Sequence, residues 1–284
     1  MTSITIPEGV FNRLKGKTVI ITGGRSGIGE AAVHILANHG ANVVYGDIAP
    51  GEFEQPNVVY QKADVSDFTS LRSLFAFTEQ KFGPVDIVLA NAGIHEEEDW
   101  NNEDWLNSTA GSKIVDVNYT GVVYTVKIAL LSFKRSGKKG SIVLTGSASS
   151  YLDSSPVCIY AGTKHGVLGL LRSVRTVVGD IARINLIAPW MVDTKLPPPG
   201  ILELWGELPL NTPTGVANAI LYAAIEEKFH GKGFFVGGDK ITELETMIDQ
   251  TRPQWMTQEV SDGVEAGWER LSKVRIMTRG ANAN

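Results

Sequence analysis

The chain has 284 residues, 43% of them hydrophobic and 20% charged, and a formal net charge of −5. That length permits one large domain or two small ones, and its core needs no staples. The single cysteine, Cys158, excludes an internal disulfide and fits a reducing compartment. The negative balance argues against nucleic-acid and anionic-membrane partners. No run of about 18 uninterrupted apolar residues occurs, and the N-terminal "MTSITIPEGVFNRLKGK" does not read as a secretory leader, so the cytoplasm is the expected compartment.

Taken in chain order, short β-branched runs alternate with longer stretches of helical spacing. Strands are predicted over 17–22, 42–47, 57–65, 85–91, 141–147, 182–189 and 233–238. Helices are predicted over 29–40, ending at Gly40 as a C-terminal stop, then over 69–82, within 112–135, over 157–178 and over 215–227. The strands are near-continuous apolar runs, as burial on both faces requires. The alternation therefore predicts an α/β fold with a doubly wound parallel sheet whose ligand site lies beyond the carboxyl ends of the strands.

The chemistry-bearing residues follow the strands. "TGGRSGIG" (22–29) links the first strand to the first helix. Gly23, Gly27 and Gly29 leave room for a pyrophosphate, and Arg25, Ser26 and Ile28 complete a loop ending on the positive end of a helix. Asp47 closes the second strand, eighteen residues beyond Gly29. A carboxylate there accepts hydrogen bonds from ribose hydroxyls and repels a 2′-phosphate, which favours NAD over NADP. Arg25 is the residue that would meet such a phosphate. Asp64 and Val65, after the third strand, are placed for the adenine edge, and Asn91, Ala92 and Gly93, after the fourth, for a flat shelf beside the dinucleotide.

"YAGTK" sets Tyr160 and Lys164 one helical turn apart, hence on one face. An ordinary phenol, with a pKa of about 10, is a poor base at neutral pH, and a cation within about 4–6 Å lowers that value. Lys164 is expected to supply that charge, so that Tyr160 exchanges a proton with a substrate oxygen. Ser147, at the end of the fifth strand, is placed to hold that oxygen.

"TGGRSGIG", "NAG", Asn118 in "VNYTG", Ser147 and "YAGTK", in this order and spacing over about residues 14–240, resemble the signature set of the short-chain dehydrogenase/reductase family. Within it the chain is similar to NAD-linked hydroxyprostaglandin dehydrogenase-like members. The resemblance implies a Rossmann-like domain over 1–240, NAD as cofactor, and a homodimer or homotetramer. It makes Asn118, Ser147, Tyr160 and Lys164 the catalytic set: Asn118 kinks a helix and holds a water near Lys164, which also grips the nicotinamide ribose. Pro189, Val192 and Thr194 would flank the nicotinamide.

One departure is "APWMVDT", with Trp190 where the family commonly has glycine; the indole either walls the site or packs in the core. The proline-rich segment 193–211 is expected to move over a bulky apolar substrate. The acidic segment 95–105 is expected to be solvated and to bind no metal, with His95 bordering the substrate. Cys158 is expected to pack as a small hydrophobe. Residues 241–284 are expected as a C-terminal extension of one or two helices, packed on the body or on a partner subunit, with a frayed end. The expected activity is oxidation of a bulky apolar secondary alcohol with NAD. The alternatives are an NADPH-dependent carbonyl reductase and a non-redox sensor or cyclase on the same fold.

Overall fold

In the computed structural model, which describes residues 2–155 and 157–281, the chain begins with strand β1 (Thr2–Ile4) and a 3-10 turn (Val10–Leu14). It continues through β2 (Thr18–Thr22), α1 (Gly27–Asn38), β3 (Asn42–Asp47), β4 (Val58–Lys62), α2 (Phe68–Phe82) and β5 (Ile87–Ala90). Then come α3 (Glu103–Leu106), α4 (Ser112–Val115), a π-helical turn (Asp116–Thr120), α5 (Gly121–Ser136) and β6 (Gly140–Thr145). A 3-10 turn (Ala148–Ser150), α6 (Cys158–Val174), β7 (Ala182–Pro189), α7 (Ile201–Trp205), α8 (Pro213–Ile225), β8 (Gly233–Gly237) and β9 (Lys240–Glu243) complete the body.

The sheet order is β1-β9-β8-β7-β6-β5-β2-β3-β4, parallel from β4 to β8. Successive side chains of a strand point to opposite faces, and the central strands use this to fill two cores. Val19 and Ile21 of β2, Val43 and Tyr45 of β3, and Ile87 and Leu89 of β5 enter one core with α1 and α8. Ile20, Val44 and Val88 enter the other with α2, α5 and α6. Both faces are covered, so β2, β5 and β6 are buried at every position.

The sheet is not wholly parallel. β8 and β9 form an antiparallel hairpin, and β1 pairs antiparallel with β9 at the edge. The sequence pattern shows neither β1 nor β9, because the first is only three residues long and the second follows a tight turn. That turn is Gly238-Asp239, both at positive φ (56° and 58°), as a two-residue hairpin of the primed type requires. Asp239 holds the strained position by accepting hydrogen bonds from the Thr212 backbone N–H (2.9 Å) and hydroxyl (2.8 Å).

The sheet and its helices form one compact unit, Met1–Glu243; Leu244–Asn284 forms a second. The second contains three helices rather than the expected one or two: α9 (Glu245–Gln250), α10 (Arg252–Met256) and α11 (Gln258–Ala281). Within it Arg252 bridges Asp249 (2.8 Å) and Glu265 (3.3 Å). Val260, Val264, Trp268 and Leu271, three and four residues apart on α11, are exposed. The chain end, expected to fray, lies outside the described residues.

Candidate active site

The strand order reverses between β2 and β5, and ligands of such sheets sit at that switch. Here the two strand ends are tied together. Asn91 Nδ2 donates to the carbonyls of Thr22 (3.2 Å) and Gly23 (3.1 Å), while the Thr22 hydroxyl accepts from the N–H groups of Asn91 (3.1 Å) and Ala92 (3.2 Å). The Asn91 side chain, in the segment expected as a shelf beside the dinucleotide, thus braces the crevice floor.

Two glycines of the loop are there for want of space. Gly23 has φ +69°, and a Cβ on it would lie 2.8 Å from Ala92 Cα. A Cβ on Gly29 would overlap the Gly23 carbonyl oxygen. Ser26 stands at the N-terminal boundary of α1 without a side-chain cap, so the first N–H groups of a twelve-residue helix face the loop without that partner. Gly27 approaches Thr194, whose Cγ2 would be 3.2 Å from a Cβ at that glycine. Asp47 stands at the loop mouth and accepts from the N–H groups of Arg25 (3.2 Å) and Ile48 (2.8 Å). The helix terminus without a side-chain cap, the close-packed glycines and the carboxylate at the next strand end fit a dinucleotide. Gly29→Ala is expected to destabilise the protein by about 1–3 kcal/mol, because the obstacle is backbone, and to weaken dinucleotide binding; thermal melting and a binding titration check this.

Asp64 and Val65 are otherwise engaged. Asp64 is exposed, and its carboxylate closes a local turn by accepting from the Ser66 N–H (2.9 Å) and hydroxyl (2.6 Å). Val65 is buried against Gly121. Both side chains, expected at the adenine edge, have structural partners instead.

The catalytic candidates converge beyond β5 and β6. Asn118 is fully buried in the π-helical turn, a local distortion common at functional sites. Its side chain holds Ile94 by two hydrogen bonds: Oδ1 accepts from the Ile94 N–H (2.8 Å), and Nδ2 donates to the Ile94 carbonyl (2.9 Å). Asn118 Oδ1 and Lys164 Nζ lie 3.4 and 3.5 Å from the point where a Cβ on Gly93 would stand. Gly93 thus opens a space shared by amide and ammonium.

Ser147 follows β6 in an extended conformation and caps the 3-10 turn, its oxygen accepting from the Ser149 N–H at 3.2 Å. The same hydroxyl is hydrogen-bonded with the Tyr160 phenol. Lys164 is buried; it donates to the Thr145 carbonyl at 3.0 Å and lies 5.5 Å from the centre of the Tyr160 ring. The tyrosine and lysine therefore share one side of α6, as their spacing predicts.

The electrostatics differ from the expectation. Burial pushes the Tyr160 phenol above its ordinary value, and the hydrogen bond from Ser147 works against that rise. Tyr160 keeps some accessible surface as a residue, but its phenol is densely surrounded. Burial also lowers Lys164 to about 8. Desolvation opposes both charged forms, so the ammonium is a weaker acidifier of the phenol than its spacing suggested.

Around this centre, His95 lies with its ring centre 6.0 Å from that of Tyr160, and its buried Nε2 has no hydrogen-bond partner among the described residues. Pro189 is buried at the end of β7. Trp190 is not a core residue: it is 39% exposed, and its ring packs tilted at 59° against that of Trp205, with centroids 5.2 Å apart. Val192 is buried and bridges to Asn211. Asn211 pins the neck of segment 193–211: its N–H donates to the Met191 carbonyl (2.9 Å), its carbonyl accepts from Asp193 (3.0 Å), and its side chain donates to the Val236 carbonyl (2.9 Å). Sequence patterns missed Asn211 and the Thr145 carbonyl, since neither belongs to a local motif. Cys158, expected to be packed, is exposed because it opens α6.

Comparison with known proteins agrees with this geometry. A family model described as short chain dehydrogenase matches residues 17–199. The short-chain dehydrogenase/reductase prx4 of Penicillium roqueforti is 36% identical, over 90% of this chain and 84% of its own. The short-chain dehydrogenase/reductase ascJ of Acremonium egyptiacum is 33% identical over 87% of each chain. The ligand-free structure of the aldohexose dehydrogenase of Thermoplasma acidophilum superposes with a TM-score of 0.72 at 25% identity, over 81% of this chain and 95% of that one. A dinucleotide crevice at the switch point, a serine, tyrosine and lysine at its edge, and a match across most of the body lead to one conclusion: the chain belongs to the short-chain dehydrogenase/reductase family.

Proposed function

We propose that this enzyme interconverts a bulky apolar secondary alcohol and its ketone with NAD, acting as an alcohol dehydrogenase. The family is one of oxidoreductases that use NAD or NADP on small molecules and typically form oligomers. The observation that carries the reading is the joining of Ser147, Tyr160 and Lys164 at the crevice that fits the dinucleotide. The nicotinamide, when bound, supplies the hydride acceptor or donor. The chain supplies the rest: Ser147 holds the substrate oxygen, Tyr160 takes or returns its proton, and Lys164 holds the ribose and keeps a positive charge beside the phenol. Asn118 stations Ile94 and the space at Gly93 next to Lys164.

Asp47 supports NAD, because its carboxylate stands at the loop mouth where a 2′-phosphate would be repelled. A bulky apolar substrate, of terpenoid, steroid-like or polyketide type, is supported by the Trp190–Trp205 pair and by Leu196, Leu204, Leu208 and Leu210, all exposed on segment 193–211. His95 would meet a polar group of that substrate. At neutral pH the phenol, held above its ordinary value by burial, is protonated, the form that donates to a ketone oxygen. A homodimer or homotetramer fits the family habit, and the exposed apolar face of α11 supports a partner subunit as its cover. The single cysteine supports a reducing, cytoplasmic setting.

A panel of secondary alcohols and ketones, with NAD(H) and NADP(H) in parallel, tests the reading by the appearance or loss of reduced cofactor. Turnover is expected with NAD(H), and Asp47→Ser is expected to shift preference toward NADP(H) by about tenfold or more. Tighter NADPH binding by the wild type in equilibrium dialysis would refute the assignment of Asp47. Absence of any redox turnover would refute the dehydrogenase.

A further inference from the structure

Helix α6 carries Tyr160 in its first turn, where backbone N–H groups have no intrahelical partner. The residue at its N-terminal boundary, Val157, has no side-chain oxygen to offer. The cap comes from the acidic segment that was expected to be solvated. The Glu98 carboxylate accepts from the Ile159 N–H through both oxygens (3.0 and 2.9 Å) and from the Tyr160 N–H (3.2 Å). The Trp100 indole N–H donates to the same carboxylate at 2.9 Å. Backbone donors bonded to an ionised carboxylate make stronger contacts than neutral pairs, and the negative charge suits a helix N-terminus.

Asn118 grips the other end of this loop at Ile94, and His95 is strung between the two anchors beside the Tyr160 ring. We propose that Glu98 is a positioning residue for Tyr160: it locks the loop bearing His95 to the backbone of the tyrosine, so that substrate wall and proton-transfer group are set against each other as one piece. The inference rests on the reading of Tyr160 as the acid–base group. The loop is held from two elements separate in sequence, by Asn118 at Ile94 and by the first turn of α6 at Glu98, so losing the second anchor frees both the wall and the tyrosine.

The test compares Glu98→Ala and Glu98→Gln in the full chain, using the best alcohol from the panel, with cofactor titrations and melting curves alongside. Glu98→Ala is expected to lower kcat by about tenfold to a hundredfold, the range that small misplacements of reacting groups produce, with NAD affinity within about twofold. Glu98→Gln keeps an acceptor oxygen at the same reach and is expected to recover kcat to within about threefold of wild type. The inference is overturned if Glu98→Ala keeps kcat within about twofold, or if it merely melts earlier while its folded fraction turns over normally. It is also overturned if Glu98→Gln is as impaired as Glu98→Ala, since charge rather than placement would then matter. Tyr160→Phe, run in parallel, separates the two claims: an inactive Tyr160→Phe with a fully active Glu98→Ala defeats the positioning role alone, whereas an active Tyr160→Phe defeats the acid–base reading itself.

Discussion

Tyr160→Phe is expected to lower kcat by about 10²–10⁴-fold, the usual worth of a placed general acid or base, while cofactor affinity stays within about threefold. Phenylalanine keeps the ring and its contact with His95, so the loss reports the hydroxyl rather than the shape of the pocket. The pH dependence follows from burial. With the phenol held above its ordinary value, the deprotonated form needed to accept a proton from an alcohol gains population as pH rises. Alcohol oxidation should therefore climb through the neutral and alkaline range, whereas ketone reduction should run well at neutral pH. Steady-state rates in both directions across that range check this. A Tyr160→Phe enzyme within about threefold of wild type, a difference of about 0.7 kcal/mol, would show that another group moves the proton.

Lys164→Met is expected to abolish turnover and yet make the protein more stable at neutral pH. Burial lowers Lys164 to about 8 from the ordinary 10.5, so the folded state resists its charge. Between those two values the unfolded chain binds more protons than the folded one, and stability rises with pH across that window. Below about 8 the lysine is charged in both states, and the cost of burying that charge is fully present. Methionine removes this cost. The hydrogen bond to the Thr145 carbonyl is lost, which offsets part of the gain. Replacing a buried charge by an apolar side chain of similar volume gains about 1–4 kcal/mol, so a net gain of about 1–2 kcal/mol, or about 2–4 °C in melting temperature, is expected at pH ~7. The difference should shrink toward pH ~10, as the wild-type lysine sheds its proton. A variant that melts earlier at neutral pH, or whose advantage ignores pH, would contradict this balance. The lysine is thus a place where activity and stability pull apart.

Much of the molecule follows from local pattern. The double-sided burial of "TVIIT" and its neighbours, the glycines of "TGGRSGIG" and the turn between Tyr160 and Lys164 are short-range facts, because strand alternation, loop crowding and helical pitch all act within a few residues. The Gly238-Asp239 hairpin went unread, because the strand after it is only four residues long. Tertiary structure alone decided the rest. Glu98 reads as one more carboxylate in an acidic run until folding carries it to a helix start 61 residues away in sequence. The Trp190–Trp205 pair, the Thr145 carbonyl under Lys164 and the Asn118 grip on Ile94 likewise join segments with no common local pattern. The direction of the Tyr160 shift belongs here too: residue spacing sets how near a charge lies, but solvation depends on everything packed around it, and only the folded chain determines how much water the phenol and the ammonium keep.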